Sequence, residues 1–176
     1  TLESDVWGED LQKLLPVVIE GQSDSACFDN MLELLILSGR SLAHSILMMI
    51  PEAWGDKYYM GHDRRGFYEY HANFMEPWDG PASIAFTDGT QIGAILDRNG
   101  LRPSRYTLTR DNLLVLSSET GVLDVDPAEV VKRGRLQPGK MLLVDTERQK
   151  VLYNNEIKAE ICRQQHYRRW VEANRI

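Results

Sequence analysis

Cysteine is scarce in this chain of 176 residues: there are two, Cys27 and Cys162, far apart in sequence. Neither belongs to a Cys-x-x-Cys or Cys/His cluster, so no metal site is expected. Reduced thiols are the expected state, although sequence alone leaves a disulfide open. Long hydrophobic runs are also missing. The longest, Ser45 to Pro51, falls far short of the roughly 18 residues a membrane span requires, so no membrane partner is expected. No basic segment leads into an apolar one, which excludes a visible secretory signal. Positive charge is in deficit, with Lys+Arg 20 against Asp+Glu 26 and a net charge of −6. That balance argues against a nucleic-acid partner or an anionic membrane surface. No internal repeat or low-complexity tract appears. Position 1 is Thr rather than Met, and a piece of a longer chain is the expected reading. What is present is an ordinary globular balance, 43% hydrophobic and 26% charged, enough for one domain with its own core.

Residues 1–75 read as helical. Leu11, Leu14, Leu15 and Val18 make a stripe that Pro16 interrupts. A Gly-Gln-Ser-Asp-Ser turn at 21–25 offers N-caps, and Phe28, Met31, Leu32 and Leu35 then fall at helical spacing. Gly39 suits a helix C-terminus. Ser41 suits the cap of a second helix, Leu42 to Ile50, limited by Pro51. Both helices are expected to be half-buried, with Asp29, Glu33 and His44 on their wet sides. Gly55 to Gly66 reads as a polar surface loop, and Phe67 to Phe74 as another short helix.

Residues 76–153 read as strand-rich. Ala82–Phe86 and Gln91–Leu96 flank an Asp88-Gly89 pair suited to a type I′ hairpin turn. Tyr106–Thr109 pairs with Leu113–Ser117, and Lys140–Asp145 with Lys150–Tyr153. Asp126-Pro127-Ala128-Glu129 reads as a short helical turn. A C-terminal helix is expected over about 155–175. Short turns between consecutive strands favour antiparallel pairing, so the fold class is α+β, with helices packed on an antiparallel sheet.

Three strings carry candidate chemistry. In Ser23-Asp24-Ser25, a carboxylate at a helix start serves either as a cap or as an anion for a ligand's ammonium group. Asp97-Arg98-Asn99-Gly100-Leu101-Arg102-Pro103 reads as a structural loop. Gly100 would take positive φ, Pro103 would stiffen the exit, and Asp97 would bond loop amides or pair with Arg102 or Arg105. Arginines facing an anionic substrate are the functional alternative. Glu76-Pro77-Trp78-Asp79-Gly80-Pro81 reads as a rigid turn with Trp78 as a core plug. Cys27 lies near a helix N-terminus, where a thiol pKa can fall, but a small buried hydrophobe is the better reading. Cys162 has no special support. His62, His71 and His166 are isolated from one another, and no Ser-His-Asp arrangement is forced.

The order of these strings resembles the glutamine amidotransferase domain of glutamate synthase large subunits. It runs from about Trp7 to the end, through Ser23–Asn30, Gly39-Arg40-Ser41, Pro51-Glu52-Ala53-Trp54, Phe67–His71, Glu76–Ala82, Asp97–Pro103 and Ser117-Ser118-Glu119. The resemblance implies a class II domain of the N-terminal-nucleophile hydrolase type, a four-layer αββα fold. Its chemistry would be hydrolysis of L-glutamine to glutamate and ammonia. A cysteine thiolate attacks the amide, the chain's own α-amino group acts as base, and N–H groups stabilise the oxyanion. Ammonia would pass to a flavin domain that reductively aminates 2-oxoglutarate. That parent enzyme would use FMN, an iron–sulfur cluster and NADPH, NADH or ferredoxin.

Carried onto this chain, the family pattern makes Asp24 the anchor for the α-amino group of glutamine. Ser23, Ser25, Asp97, Gly100, Arg102 and Pro103 would be structural residues near the pocket. No catalytic residue is assigned, because both cysteines are internal and the family's oxyanion Asn-Gly pair is not Asn99-Gly100. The expectation is a C-terminal portion of the domain, inactive by itself. Its partners would be glutamine, the rest of the large subunit and a small electron-transfer subunit. Self-association through an exposed sheet face is also expected. Its location would be cytoplasmic, or plastid in a photosynthetic eukaryote. The alternatives are a non-catalytic module of the same fold, or an amidotransferase domain of purine or asparagine synthesis, against which the Glu76–Ala82 string argues.

Overall fold

Pro16 ends the first apolar stripe early. In a computed structural model, which describes residues 4–55 and 57–174, a 3₁₀ turn over Gly8–Asp10 leads into the single-turn helix α1 (Leu11–Leu14). Leu15 is already extended, at φ −92° and ψ 141°, as a residue before proline must be. Ser23 then starts α2 (Asp24–Leu37), its Oγ accepting from Ala26 N at 3.3 Å. Gly39, at φ +92°, ends the helix in the left-handed conformation. Ser41 caps α3 (Leu42–Met49) in the same way through His44 N.

Two helical expectations change. Every residue of α3 is buried, so His44 does not face water: α3 is the central helix of its layer rather than a surface one. The next helix, α4 (His62–His71), takes in residues assigned to the loop Gly55–Gly66. Its N-terminal turn is polar, which hid it, while Gly66, Phe67, Tyr68 and His71 form its buried side.

The strands follow as β1 (Ser83–Thr87), β2 (Gln91–Leu96), β3 (Arg105–Thr109), β4 (Leu114–Ser117), β5 (Val130–Arg135), β6 (Met141–Asp145) and β7 (Lys150–Tyr153). The three expected hairpins form, all antiparallel. The first turn is not type I′. Thr87 faces Ile92, so Gly89-Thr90 is the central pair, and Gly89 alone has positive φ, +92°. Positive φ at the first central position alone is the type II′ requirement. Asp88 instead accepts from Thr90 N and Gln91 N at 2.9 and 2.7 Å.

Strand β5 was not foreseen. Its Val-Val-Lys-Arg-Gly-Arg sequence is too charged to read as apolar alternation. It pairs with β3, where Gly134 lies opposite Tyr106. A Cβ at Gly134 would stand 2.5 Å from the Tyr106 ring, so the glycine makes room for the aromatic.

Two antiparallel sheets result, a four-stranded one in the order β1-β2-β6-β7 and a three-stranded one in the order β4-β3-β5. Alternation along the strands of the larger sheet divides its side chains. Phe86, Ile95, Met141, Leu143 and Leu152 join the helical core with Phe28, Ile46, Met49 and Phe67. Ala94, Leu96, Leu142, Val151 and Tyr153 meet Tyr106, Leu114 and Leu116 of the smaller sheet. The layers are therefore helices, four-stranded sheet, three-stranded sheet, an α+β arrangement of antiparallel sheets packed with helices.

The C-terminal helix is two helices, α5 (Asn154–Ile161) and α6 (Tyr167–Asn174), with a break after Cys162. Neither glycine nor proline marks the break. Tertiary packing causes it: Tyr167 enters an aromatic cluster with Phe67, Tyr70 and His71. The α6 backbone also crosses α4 at Gly66, where a Cβ would lie 2.7 Å from Arg168 Cα.

Candidate functional site

The loop after β2 is organised by one carboxylate. Asp97 is 3% exposed. Its Oδ1 accepts from Ala82 N at 3.1 Å, and its Oδ2 accepts from Asn99 N at 2.9 Å and Gly100 N at 3.2 Å. Of the two structural readings, bonding to loop amides is therefore realised. Such a carboxylate, buried and fully used, shapes backbone. Gly100 takes φ +62° and packs on Pro138, which a Cβ would approach to 2.5 Å. Gly139 N donates to Asp97 O at 2.9 Å, fastening the loop to the turn before β6. Arg102 and Pro103 lie exposed beyond this knot.

At α2 the N-cap is Ser23 rather than Asp24, and the Ser23 and Ser25 hydroxyls stand 3.1 Å apart. Asp24 is the first helical residue, with its carboxylate exposed. A cap of its own leaves that carboxylate free of the capping bond, at the positive end of a 14-residue helix.

The Glu76–Pro81 string connects the two places. Phe28, one turn along α2 from Asp24, meets Trp78 edge to face at 5.6 Å. Trp78 N donates to Met49 O at 2.9 Å. Asp79 pairs with Arg98 of the Asp97 loop. Trp78 is half-buried and packs against the edge of the helical core rather than plugging it, and the residues after it reach the loop.

Behind the loop lies a charged cluster that sequence reading missed. Glu52 is 7% exposed and Lys158 is 0% exposed. Lys158 Nζ stands 3.0 Å from Glu52 Oε1 and donates to Gly139 O at 2.7 Å. Arg64 Nη1 and Lys140 Nζ each approach the Glu52 carboxylate to 3.4 Å. Tyr68 Oη donates to Glu52 at 3.5 Å. Burial alone would raise the Glu52 pKa, but Lys158, with Arg64 and Lys140, holds it below the ordinary value. Burial pushes Lys158 down to about 8 against the opposing pull of Glu52. The available signal was Pro51-Glu52-Ala53-Trp54, a string matched without a role. A cleft of about 650 Å³ beside the cluster is lined by Glu52, Trp54, Tyr68, His71, Arg98 and Asn99, among others.

Neither cysteine is arranged as a nucleophile. Cys27 is half-buried in the first turn of α2, its Sγ 3.8 Å from Ile19 O. Burial pushes the Cys162 thiol up to about 12. His71 meets a histidine outside the set of His62, His71 and His166: its Nε2 lies 3.0 Å from His44 Nε2, and its Nδ1 lies 2.8 Å from Phe67 O. Burial holds both rings neutral, at about 4. Nδ1–H of His71 donating to Phe67 leaves its Nε2 to accept from His44, so the pair needs no charge. Among the described residues, no group of three or more His, Cys, Asp or Glu is placed to hold a metal ion. Among them also, no helix is long and apolar enough to cross a membrane.

Comparison with known proteins gives this arrangement a context. The family model described as "Glutamine amidotransferases class-II" matches residues 1–170. The "Glutamate synthase [NADPH] large chain" of Bacillus subtilis is 48% identical over 98% of this chain and 11% of its own length. The "Glutamate synthase [NADH]" of Schizosaccharomyces pombe is 44% identical over 99% of this chain and 8% of its own. The "Ferredoxin-dependent glutamate synthase" of Pyropia yezoensis is 46% identical over 91% and 10%. The chain therefore spans about a tenth of the length of the curated relatives it matches.

Proposed function

This chain belongs to the class-II glutamine amidotransferases, and from that premise we propose that it is part of the glutaminase domain of a glutamate synthase large subunit. The observation that carries the proposal is near-complete coverage at 44–48% identity by three glutamate synthases with three different named donors. In this reading the parent domain hydrolyses L-glutamine to glutamate and ammonia. The ammonia passes through the protein to a second site and reductively aminates 2-oxoglutarate there. The electron donor is NADPH, NADH or ferredoxin.

The geometry supports a binding role for Asp24. Its carboxylate is exposed and spared from capping, and Phe28 and Trp78 fix the helix beneath it. It would hold the α-ammonium group of glutamine. Ser23 and Ser25 would shape its helix end. Asp97 and Gly100 would hold the neighbouring loop, with Arg102 and Pro103 at its outer edge.

The parent's iron–sulfur cluster does not fit these residues. A cluster is held by several thiolates, whereas the two cysteines here lie apart, one within α2 and the other just past the end of α5, with its thiol pushed up to about 12. In this reading the cluster, FMN and a small electron-transfer subunit belong to other parts of the proposed assembly. The proposed location is the cytoplasm, or the plastid where the source is photosynthetic.

A class II nucleophile is a cysteine whose own α-amino nitrogen is free to act as base. Cys27 and Cys162 have that nitrogen in a peptide bond. A polypeptide of these 176 residues alone is therefore expected to be inactive. A glutaminase assay of this polypeptide beside the full-length subunit tests this, and turnover by both would overturn it.

A further inference from the structure

Lys158 is the most deeply buried charge among the described residues, at 0% exposure, on a helix with no part in the proposed glutamine contacts. Placing an ammonium group there costs several kcal/mol unless it is paired and hydrogen-bonded. Both compensations are present, the carboxylate of Glu52 at 3.0 Å and the carbonyl of Gly139 at 2.7 Å. The second partner connects the pair to the rest of the site. Gly139 accepts from Lys158 through its carbonyl and donates through its N–H to Asp97 O at 2.9 Å. Gly139 also lies directly on Glu52, whose Cβ would be 2.6 Å from a Cβ added there. Its neighbour Pro138 supports Gly100. One short turn, 137–140, is thus held from below by the ion pair and itself holds the Asp97 loop from the side.

From these contacts we infer that the Glu52–Lys158 pair positions the Asp97 loop, and through the Arg98–Asp79 and Trp78–Phe28 contacts the Asp24 end of α2, for glutamine binding. The inference rests on the proposed glutaminase reading. Glu52 and Lys158 are positioning residues: neither touches substrate. A purely structural pair would affect stability alone, and removing one partner of a buried pair is destabilising in itself. Here a specific carbonyl would lose its donor and the turn carrying Asp97 would drift. Small displacements of a binding group are enough to weaken substrate use.

The test is Lys158→Met in the full-length protein. It removes the donor to Gly139 but leaves Glu52 with Arg64 and Lys140. The expected result is a rise in KM for glutamine of roughly tenfold, with kcat changed far less. Activity supported by added ammonia, which bypasses glutamine binding, should stay unchanged. Hydrogen exchange should quicken at the Asn99, Gly100 and Gly139 amides and not in the β3–β4 hairpin. A lowered melting temperature with unchanged KM and unchanged exchange at those amides would overturn the inference. If Lys158→Met does not fold, Glu52→Asp keeps the charge and withdraws the carboxylate by one methylene. The same separation of KM from kcat is then expected on a smaller scale, and its absence overturns the inference equally. Failure of the unsubstituted protein to hydrolyse glutamine would instead overturn the functional reading, a separate outcome.

Discussion

In the proposed glutaminase reading, Asp24 and Ser23 divide between them two tasks, ligand anchoring and helix capping, that one carboxylate is able to perform alone. With Ser23 as cap, Asp24→Asn leaves the helix start intact and costs only about 0.5 kcal/mol of dipole interaction. For glutamine the cost is larger, because a hydrogen bond to a charged group contributes about 1.5–3 kcal/mol. KM for glutamine in the full-length protein is expected to rise roughly 10- to 100-fold, with the melting temperature almost unmoved. Steady-state kinetics beside a thermal melt check this. Ser23→Ala has the reverse signature, a loss of about 1 kcal/mol of stability seen as a lower urea midpoint.

The buried histidines make a pH prediction with a definite sign. Both rings stay neutral in the fold down to about 4, against an ordinary value of 6.5. The unfolded chain therefore binds more protons between those values. The stability they contribute is complete above about pH 6.5 and is lost as pH falls toward about 4. Urea midpoints should fall over that range, and replacing both histidines with leucine should flatten the slope. An equal slope in the double variant contradicts the assignment. His71 stood in a string matched from sequence, but its pairing with His44 was not legible. The two rings lie 27 positions apart, and only the packing of α3 on α4 brings them together.

At the scale of elements, caps and turns were the legible part. Gly39, Ser41, Asp126 and the pairing of the three hairpins follow from local rules that act within four residues, whereas the sequence left the α2 cap open within Ser23–Ser25 and pointed to a type I′ first turn that the fold does not adopt. The rest was decided by neighbours. Strand β5 exists because β3 offers it an edge and Tyr106 needs the space at Gly134. The tail bends because Tyr167 has an aromatic site to fill and Gly66 lets α6 approach. That last contact is open to test: Gly66→Ala places a methyl 2.7 Å from the Arg168 backbone. It is expected to cost about 1–3 kcal/mol, read as a lower unfolding midpoint, with α6 amides exchanging faster than those of β2. No change in midpoint would show that the crossing has slack. The site follows the same division. Asp97 and Gly100 were legible as loop formers, whereas Glu52 and Lys158, separated by about a hundred residues of sequence, were not.

For the whole molecule, the two sheets enclose an apolar groove lined by Ala85, Ile92, Leu114, Leu116, Leu142 and Val144, with Ile92 54% exposed. Apolar surface of that kind favours association. A polypeptide of these residues alone is expected to self-associate, with Ile92→Lys shifting it toward monomer in size-exclusion chromatography. A clean monomer before the substitution contradicts this.

Membership in the amidotransferase family leaves open where the amide nitrogen goes, and glutamate synthase chemistry gives one answer. The full-length protein is supplied with amide-labelled glutamine, 2-oxoglutarate and a matched reductant, and the products are read by mass spectrometry. The expected result is that the label appears in the amino group of glutamate newly made from 2-oxoglutarate, alongside unlabelled glutamate left by hydrolysis. Release of labelled ammonia with none in glutamate, or no glutamine consumption at all, would contradict the proposed function.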